Sequence, residues 1–145
     1  MNKVVSGPIA GARHGGFSII AKAGATLVKG VPYHFLFDGY GYKTQAISAA
    51  AGMVGVAKEA YASGDYGEFI VEGTCEVLLT AAATAVGDGL IPDVSDVKFK
   101  TSGSAMAGII GQAALTHMGV ALEASAAGGE LIDAYVNGLN VTCVA

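Results

Sequence analysis

A ten-residue segment occurs twice in this chain. Gly55-Val56-Ala57-Lys58-Glu59-Ala60-Tyr61-Ala62-Ser63-Gly64 matches Gly119-Val120-Ala121-Leu122-Glu123-Ala124-Ser125-Ala126-Ala127-Gly128 at seven of ten positions, at an offset of 64. Ala and Gly supply 48 of the 145 residues, so the match needs correlated signals to carry weight. They are present. A Lys-Thr pair precedes each copy, Lys43-Thr44 and Lys100-Thr101, and a Gly-then-Pro entry lies further upstream, Gly30-Val31-Pro32 and Gly89-Leu90-Ile91-Pro92. A β-prone run and an x-Gly pair follow each copy, at Gly73 and Gly138. The second copy carries seven more residues between Lys-Thr and Gly-Val-Ala. The chain therefore reads as a duplicated unit of about 60 residues, too small to bury an adequate core alone, so the two units pack together.

The units read as β structure. Short β-prone runs lie at Phe17–Ala21, Tyr33–Phe37, Phe69–Val71, Cys75–Leu79, Leu131–Val136 and Leu139–Val144. Turn signals separate them: Asp38-Gly39, Glu72-Gly73, Asp88-Gly89 and Asn137-Gly138, with Pro32 and Pro92 after Gly-rich entries. This spacing predicts a small barrel or sandwich, with Asn137-Gly138 as the strongest hairpin signal. In each unit a strand ends at Glu-Ala, a loop of small residues closes on Gly64 or Gly128, and the chain returns as the next strand. Ala105–Leu115 is the one candidate helix, with Met106, Ile109, Ile110 and Ala113 on one face and Gly108 and Gly111 against it. The expected architecture is mainly β: an extended arm over residues 1–16, then one domain over 17–145 made of two related units, about 17–80 and 81–145.

Composition narrows the function. Charged residues are only 14%, which excludes a disordered chain and leaves little polar surface for a free-standing one. The eight basic residues are scattered and the net charge is −4, so direct nucleic-acid binding is not expected. Cys75 and Cys143 are 68 residues apart and read as two small buried thiols. The uncharged run Thr101–Leu122 is interrupted by four glycines and by Ser102, Ser104, Gln112, Thr116 and His117, so buried interior is expected there and no membrane span. Lys3 is followed by Gly7, Pro8, Gly11, Arg13 and His14, which leaves no signal-peptide core.

Catalytic signatures are not found. His14, His34 and His117 share no metal-ligand spacing, and no cofactor motif occurs. Gly39-Tyr40-Gly41-Tyr42-Lys43-Thr44 lacks the four-residue spacing and helix of a phosphate loop. Glu59 and Glu123 hold matching repeat positions, which duplication alone explains. Tyr33, Phe35, Phe37, Tyr40 and Tyr42 form the densest aromatic cluster. Alternation puts Tyr33, Phe35 and Phe37 on one side of a strand, as a core face or as a binding platform. The opening segment has Val4, Val5 and Ile9 as its large apolar groups and Arg13-His14 as its polar contact point. Such arms gain order from a partner.

The order of these features resembles a known family. Apolar strand, Gly-x-Pro turn, Gly-Val-Ala-x-Glu-Ala and a small-residue loop ending in Gly are followed by a β run. Gly73-Thr74-Cys75-Glu76-Val77-Leu78-Leu79-Thr80-Ala81-Ala82 and Val86-Gly87-Asp88-Gly89-Leu90 continue it. This is similar to tailed-phage head decoration (capsid cement) proteins over about Ile19 to Val144, with the Thr101–Met118 insertion as a departure. The resemblance implies a β-rich structural protein without enzymatic activity, made in the host cytoplasm and carried on the virion capsid surface. It implies a partner, the major capsid protein of an icosahedral shell, and a homo-oligomer, with a trimer favoured. It also implies shell contacts from an N-terminal arm, which by location fall on Val4, Val5, Ile9, Arg13, His14 and Phe17.

Two other function classes stand beside this one. A β-barrel binding module for carbohydrate or peptide, adhesin-like, would use the Tyr33–Tyr42 cluster. An enzyme with a convergent site would bring together at least two of His34, His117, Glu59 and Glu123.

Overall fold

Eleven strands and no helix form among the described residues. A computed structural model describes residues 16–80, 83–105 and 117–143. The strands are β1 (Phe17–Lys22), β2 (Pro32–Phe37), β3 (Tyr42–Ala46), β4 (Ala51–Gly52), β5 (Val54–Ala57), β6 (Tyr66–Leu78), β7 (Asp88–Asp93), β8 (Lys98–Ala105), β9 (Gly119–Ala121), β10 (Leu131–Asn137) and β11 (Val141–Thr142). The mainly β barrel expected from the sequence is what forms.

Five strands close on themselves in the order β1-β3-β2-β5-β6, with β6 returning to pair with β1. All these pairings are antiparallel except β1 with β3, which is parallel and sets Ala21 opposite Tyr42. The thirteen-residue β6 serves a second set. Its first half, Tyr66–Glu72, pairs with β1, and its second half, Glu72–Leu78, pairs with β10. From there the order is β10-β9-β7-β8, and a parallel bridge from Leu79 to Phe99 brings β8 back to the end of β6. Backbone hydrogen bonds recur across the two sets. Gly30 donates to Ala57 O at 2.9 Å and Gly87 to Ala121 O at 2.8 Å. Leu27 and Tyr61 exchange both their hydrogen bonds, and so do Thr84 and Ser125.

Alternation along β6 feeds two cores. Phe69 lies with Ala21, Ala23, Leu27, Val31, Tyr33 and Ala57 inside the first barrel. Its neighbour Ile70 points the other way, into a larger cluster with Val77, Leu90, Phe99, Ile132 and Val136. Val54 and Val56 join that second cluster while Ala57 lies in the first, so every residue of β5 is buried. A strand buried on both faces needs no polar alternation. The space is also narrow, because barrel diameter falls with strand number. A Cβ on Gly55 would stand 2.6 Å from the Phe35 ring. Gly55 and Ala57 thus lie where two cores press on one strand.

Several turn expectations are corrected. Glu72-Gly73 is no hairpin: β6 runs straight through it, and the register shift against β1 between Phe17 and Ser18 marks a bulge there. Asp88-Gly89 lies inside β7, and the turn is formed just before it, where Gly87 has φ 93°. Pro92 lies within β7 and marks no turn, whereas Pro32 opens β2 just after the Lys29–Gly30 turn, where Gly30 has φ 81°. Asn137-Gly138 does not join two paired strands, because β10 pairs with β6 and β9 whereas β11 pairs with β4. Gly138 is there for close approach: a Cβ would fall 1.9 Å from Val54 O, to which strand Gly138 is tied through Val54 N–H at 2.7 Å. The second small-residue loop closes on Gly129, φ 79°, and not on Gly128. Gly129 donates to Leu79 O at 3.0 Å as Gly64 does to Ala23 O at 2.9 Å. The Asp38-Gly39 hairpin forms as read. The candidate helix over Ala105–Leu115 lies, after Ala105, outside the described residues.

One backbone position carries strain. Val97 closes the β7–β8 hairpin at φ 54°, its N–H donating to Asp93 O at 2.8 Å. A β-branched side chain there costs about 1–2 kcal/mol. Val97→Asn is therefore expected to stabilise the protein by about 1 kcal/mol, raising the melting temperature by about 3 °C. An unchanged or lowered melting temperature would show that the valine side chain offsets its strain by packing.

Candidate functional site

The first barrel ends in a ladder of aromatic rings. Phe69 is fully buried at its foot, with ring centroids 6.4 Å from Tyr33, 5.5 Å from Phe35 and 5.6 Å from Tyr61. Phe35 meets Tyr42 at 6.3 Å, and Tyr42 meets Phe37 at 5.6 Å, both edge to face. The ladder climbs along one face of the β2–β3 hairpin and out of the barrel mouth. Exposure rises with it: Tyr33 is buried, Tyr42 is 41% exposed, Phe37 62% and Tyr40 fully. The aromatic cluster is thus core at one end and open apolar surface at the other.

The hairpin tip is held by one carboxylate. Asp38 Oδ1 accepts the backbone N–H of Tyr40 at 3.0 Å and of Gly41 at 3.1 Å, and Gly39 takes φ 93°. The N–H from Tyr40, then that from Gly41, hold the Asp38 carboxyl below its ordinary range, with Lys22 adding a smaller pull. The carboxylate thereby sets the backbone from which Tyr40 projects into solvent.

The start of β1 lies toward the same end. Because β1 and β3 run parallel with Ala21 opposite Tyr42, the N-terminal end of β1 lies on the hairpin-tip side. Phe17, the first residue of β1, is 43% exposed and four residues, about 13 Å of strand, beyond Ala21. Of the partner-binding residues expected from the sequence, Phe17 is therefore the one described, opposite Glu72 and toward the hairpin-tip end of the barrel. Val4, Val5, Ile9, Arg13 and His14 lie outside the described residues.

Of the residues considered for an enzyme, Glu59, Glu123 and His34 are engaged elsewhere, and His117 Nε2 is buried without a hydrogen-bond partner among the described residues. Glu59 reaches Lys29 at 4.0 Å, and Lys29 is bound more closely by Glu76 at 2.7 Å. Glu123 accepts the N–H of Asp133 at 2.9 Å. His34 is buried and accepts the N–H of Ser48 at 3.2 Å. No hydrogen bond or ion pair links any two of His34, His117, Glu59 and Glu123 among the described residues. No three His, Cys, Asp or Glu side chains there gather as a metal site. Both cysteines are free thiols. Burial, then the nearby carboxylates of Asp133 and Glu76, pushes the Cys75 thiol up to about 12, which leaves it unreactive at neutral pH.

A family model for phage cement proteins matches residues 36–137, from the hairpin through the last strand of the second set. The chain belongs to the phage cement protein family. It is accordingly a structural protein of the phage particle. The fold is similar to that of the N base of the head fiber gp8.5 in bacteriophage phi29, with a TM-score of 0.58 and 15% identity over 86% of this chain and 97% of that one. No curated protein sequence matches the chain. The structural likeness concerns the β fold, and the family assignment concerns the phage particle.

Proposed function

We propose that this chain binds the outer surface of an icosahedral phage shell and holds neighbouring major capsid subunits together. Membership of the phage cement protein family is the observation that carries this reading. The geometry suits it. Phe17, Phe37, Tyr40 and Tyr42 gather exposed apolar surface at one barrel mouth, where the 1–16 arm begins. Aromatic anchors ringed by polar groups are what protein interfaces use. Val4, Val5, Ile9, Arg13, His14 and Phe17 form the arm's share of the contact, and the hairpin tip forms the barrel's share. The chain acts as a homo-oligomer, a trimer, made in the host cytoplasm and recruited to the shell.

We also propose that the two strand sets descend from one duplicated unit. Support comes from the matching pairings, the paired Gly30–Ala57 and Gly87–Ala121 hydrogen bonds, and the two small-residue loops closed by Gly64 and Gly129. A clamp of two like barrels offers two similar footholds to a shell made of repeated subunits.

Co-sedimentation with purified shells tests the reading. Saturable binding to expanded shells, and none to unexpanded ones, is the expected result. Equal binding to both, or binding that never saturates, would contradict it.

A further inference from the structure

The imidazole of His34 sits at a three-way junction. Tyr33 and Phe35 point into the first barrel, so His34 points out of it, yet only 6% of it is exposed. Two later segments cover the ring. One is the crossover from β3 to β5, which carries Ser48 and the short strand β4. The other is the C-terminal strand β11, which pairs with β4 through Val141–Gly52 and Thr142–Ala51. His34 Nδ1 accepts the Ser48 N–H at 3.2 Å, which places the proton of the neutral ring on Nε2, facing Cys143 Sγ at 3.9 Å. One ring thus joins the barrel wall, the crossover and the chain's last strand.

We propose that His34 is an acid-sensitive latch on the crossover and the C-terminal strand. A second proton must go to Nδ1, the atom that accepts from Ser48. Protonation turns that acceptor into a donor aimed at another donor, so the bond is lost. The new cation also has no counter-charge. Among the described residues the groups around the ring are Phe35 and Gln45 from the hairpin, Ser48 and the Ala50–Met53 stretch from the crossover, and Cys143 after β11. None is charged: the one titratable neighbour, Cys143, has its thiol pushed up to about 11 by burial. A cleft of about 130 Å³ beside the ring gives water access to it.

The direction of the effect follows from burial, which lowers the affinity of the His34 ring for a proton below its ordinary value of 6.5. Above pH 6.5 the ring is neutral whether the segment is closed or open, and the latch holds in full. Below it the open form takes up a proton that the closed form does not. Opening is then favoured about tenfold per pH unit until the closed ring itself titrates. The short β4–β11 ladder, two residue pairs long, is what gives way.

Amide hydrogen exchange on the full chain between pH 7.5 and 5.5, corrected for intrinsic rates, tests this. Protection of residues 48–53 and 141–143 is expected to fall by up to about tenfold from pH 7.5 to 5.5, with the β6–β10 ladder unchanged. In His34→Asn the amide oxygen takes the place of Nδ1 as acceptor and cannot titrate, so protection there should be flat with pH. A wild-type profile flat with pH, or an equal fall in the variant, would overturn the proposal. Should the variant fail to fold, the ring resonances of His34 in the wild type decide: protonation coincident with opening supports the latch. A ring that titrates while the segment stays closed, or stays neutral while it opens, refutes it.

Discussion

Phe69→Ala is expected to cost about 3–5 kcal/mol of stability, the upper range for an aromatic lost from a core. The ring is fully buried and is the foot of the aromatic ladder, touching Tyr33, Phe35 and Tyr61. Its neighbours cannot move in to fill the space. Tyr33 is tied through its hydroxyl to Val28 N–H at 3.2 Å, and the Tyr61 hydroxyl accepts the N–H of Glu68 at 3.0 Å. Phe35 already lies against Gly55. A closed ring of hydrogen-bonded strands also resists collapse. Since a domain has only about 5–15 kcal/mol in total, the variant should be marginal at room temperature. Urea unfolding measures it, and a loss under 1 kcal/mol would show that the first barrel is not organised around this ring. Phe99, fully buried in the second cluster, is the sensible control for whether both cores carry comparable weight.

Removing the arm and the hairpin-tip ring is expected to abolish shell binding while sparing the fold. Tyr40 is fully exposed and makes no side-chain contact within the barrel, so Tyr40→Ala should shift stability by no more than about 0.5 kcal/mol. If the ring is an anchor, its loss should weaken shell binding about thirtyfold, the effect of one interface hot spot. Deletion of residues 1–15 should weaken it at least as much, because that arm starts beside the same mouth. Melting and circular dichroism would check the fold, and co-sedimentation the binding. If both variants bound shells like the wild type, the aromatic mouth and the arm would lose their assigned role, and the contact would lie on another face.

The sequence shows the class of fold well and the path of the chain less well. Phe17–Ala21 and Tyr33–Phe37 are legible because each has an apolar face and a clear end, and β1 and β2 extend them by one residue each. The Asp38-Gly39 turn is legible because its carboxylate and its positive φ are both local needs. Glu72-Gly73 and Asn137-Gly138 carry the same local signal for different reasons. Gly73 has φ 135° within a strand shared by the two strand sets, and Gly138 admits Val54 O to close approach. Composition alone does not separate a turn from a bulge or a tight crossing. β7 and β8 are hidden for a related cause, since Asp88-Gly89 and Pro92 read as breakers yet lie within a buried strand. For the site, the rings and Phe17 are legible in the sequence, but not that they lie toward the same end of the barrel, which depends on which strand pairs in parallel with which. It also gave no sign of the junction at His34, whose partners Ser48 and Cys143 are 14 and 109 residues away.

The central claim is that the chain bridges subunits of a phage shell from outside. A cryo-electron microscopy reconstruction of heads carrying this protein tests it most directly. The account predicts density of two joined small barrels on the outer surface, seated across a boundary between capsid subunits, with the Phe37–Tyr42 mouth and the root of the arm at Phe17 turned toward the shell. Density confined to a single subunit, or to the tail or the inside of the head, would contradict it.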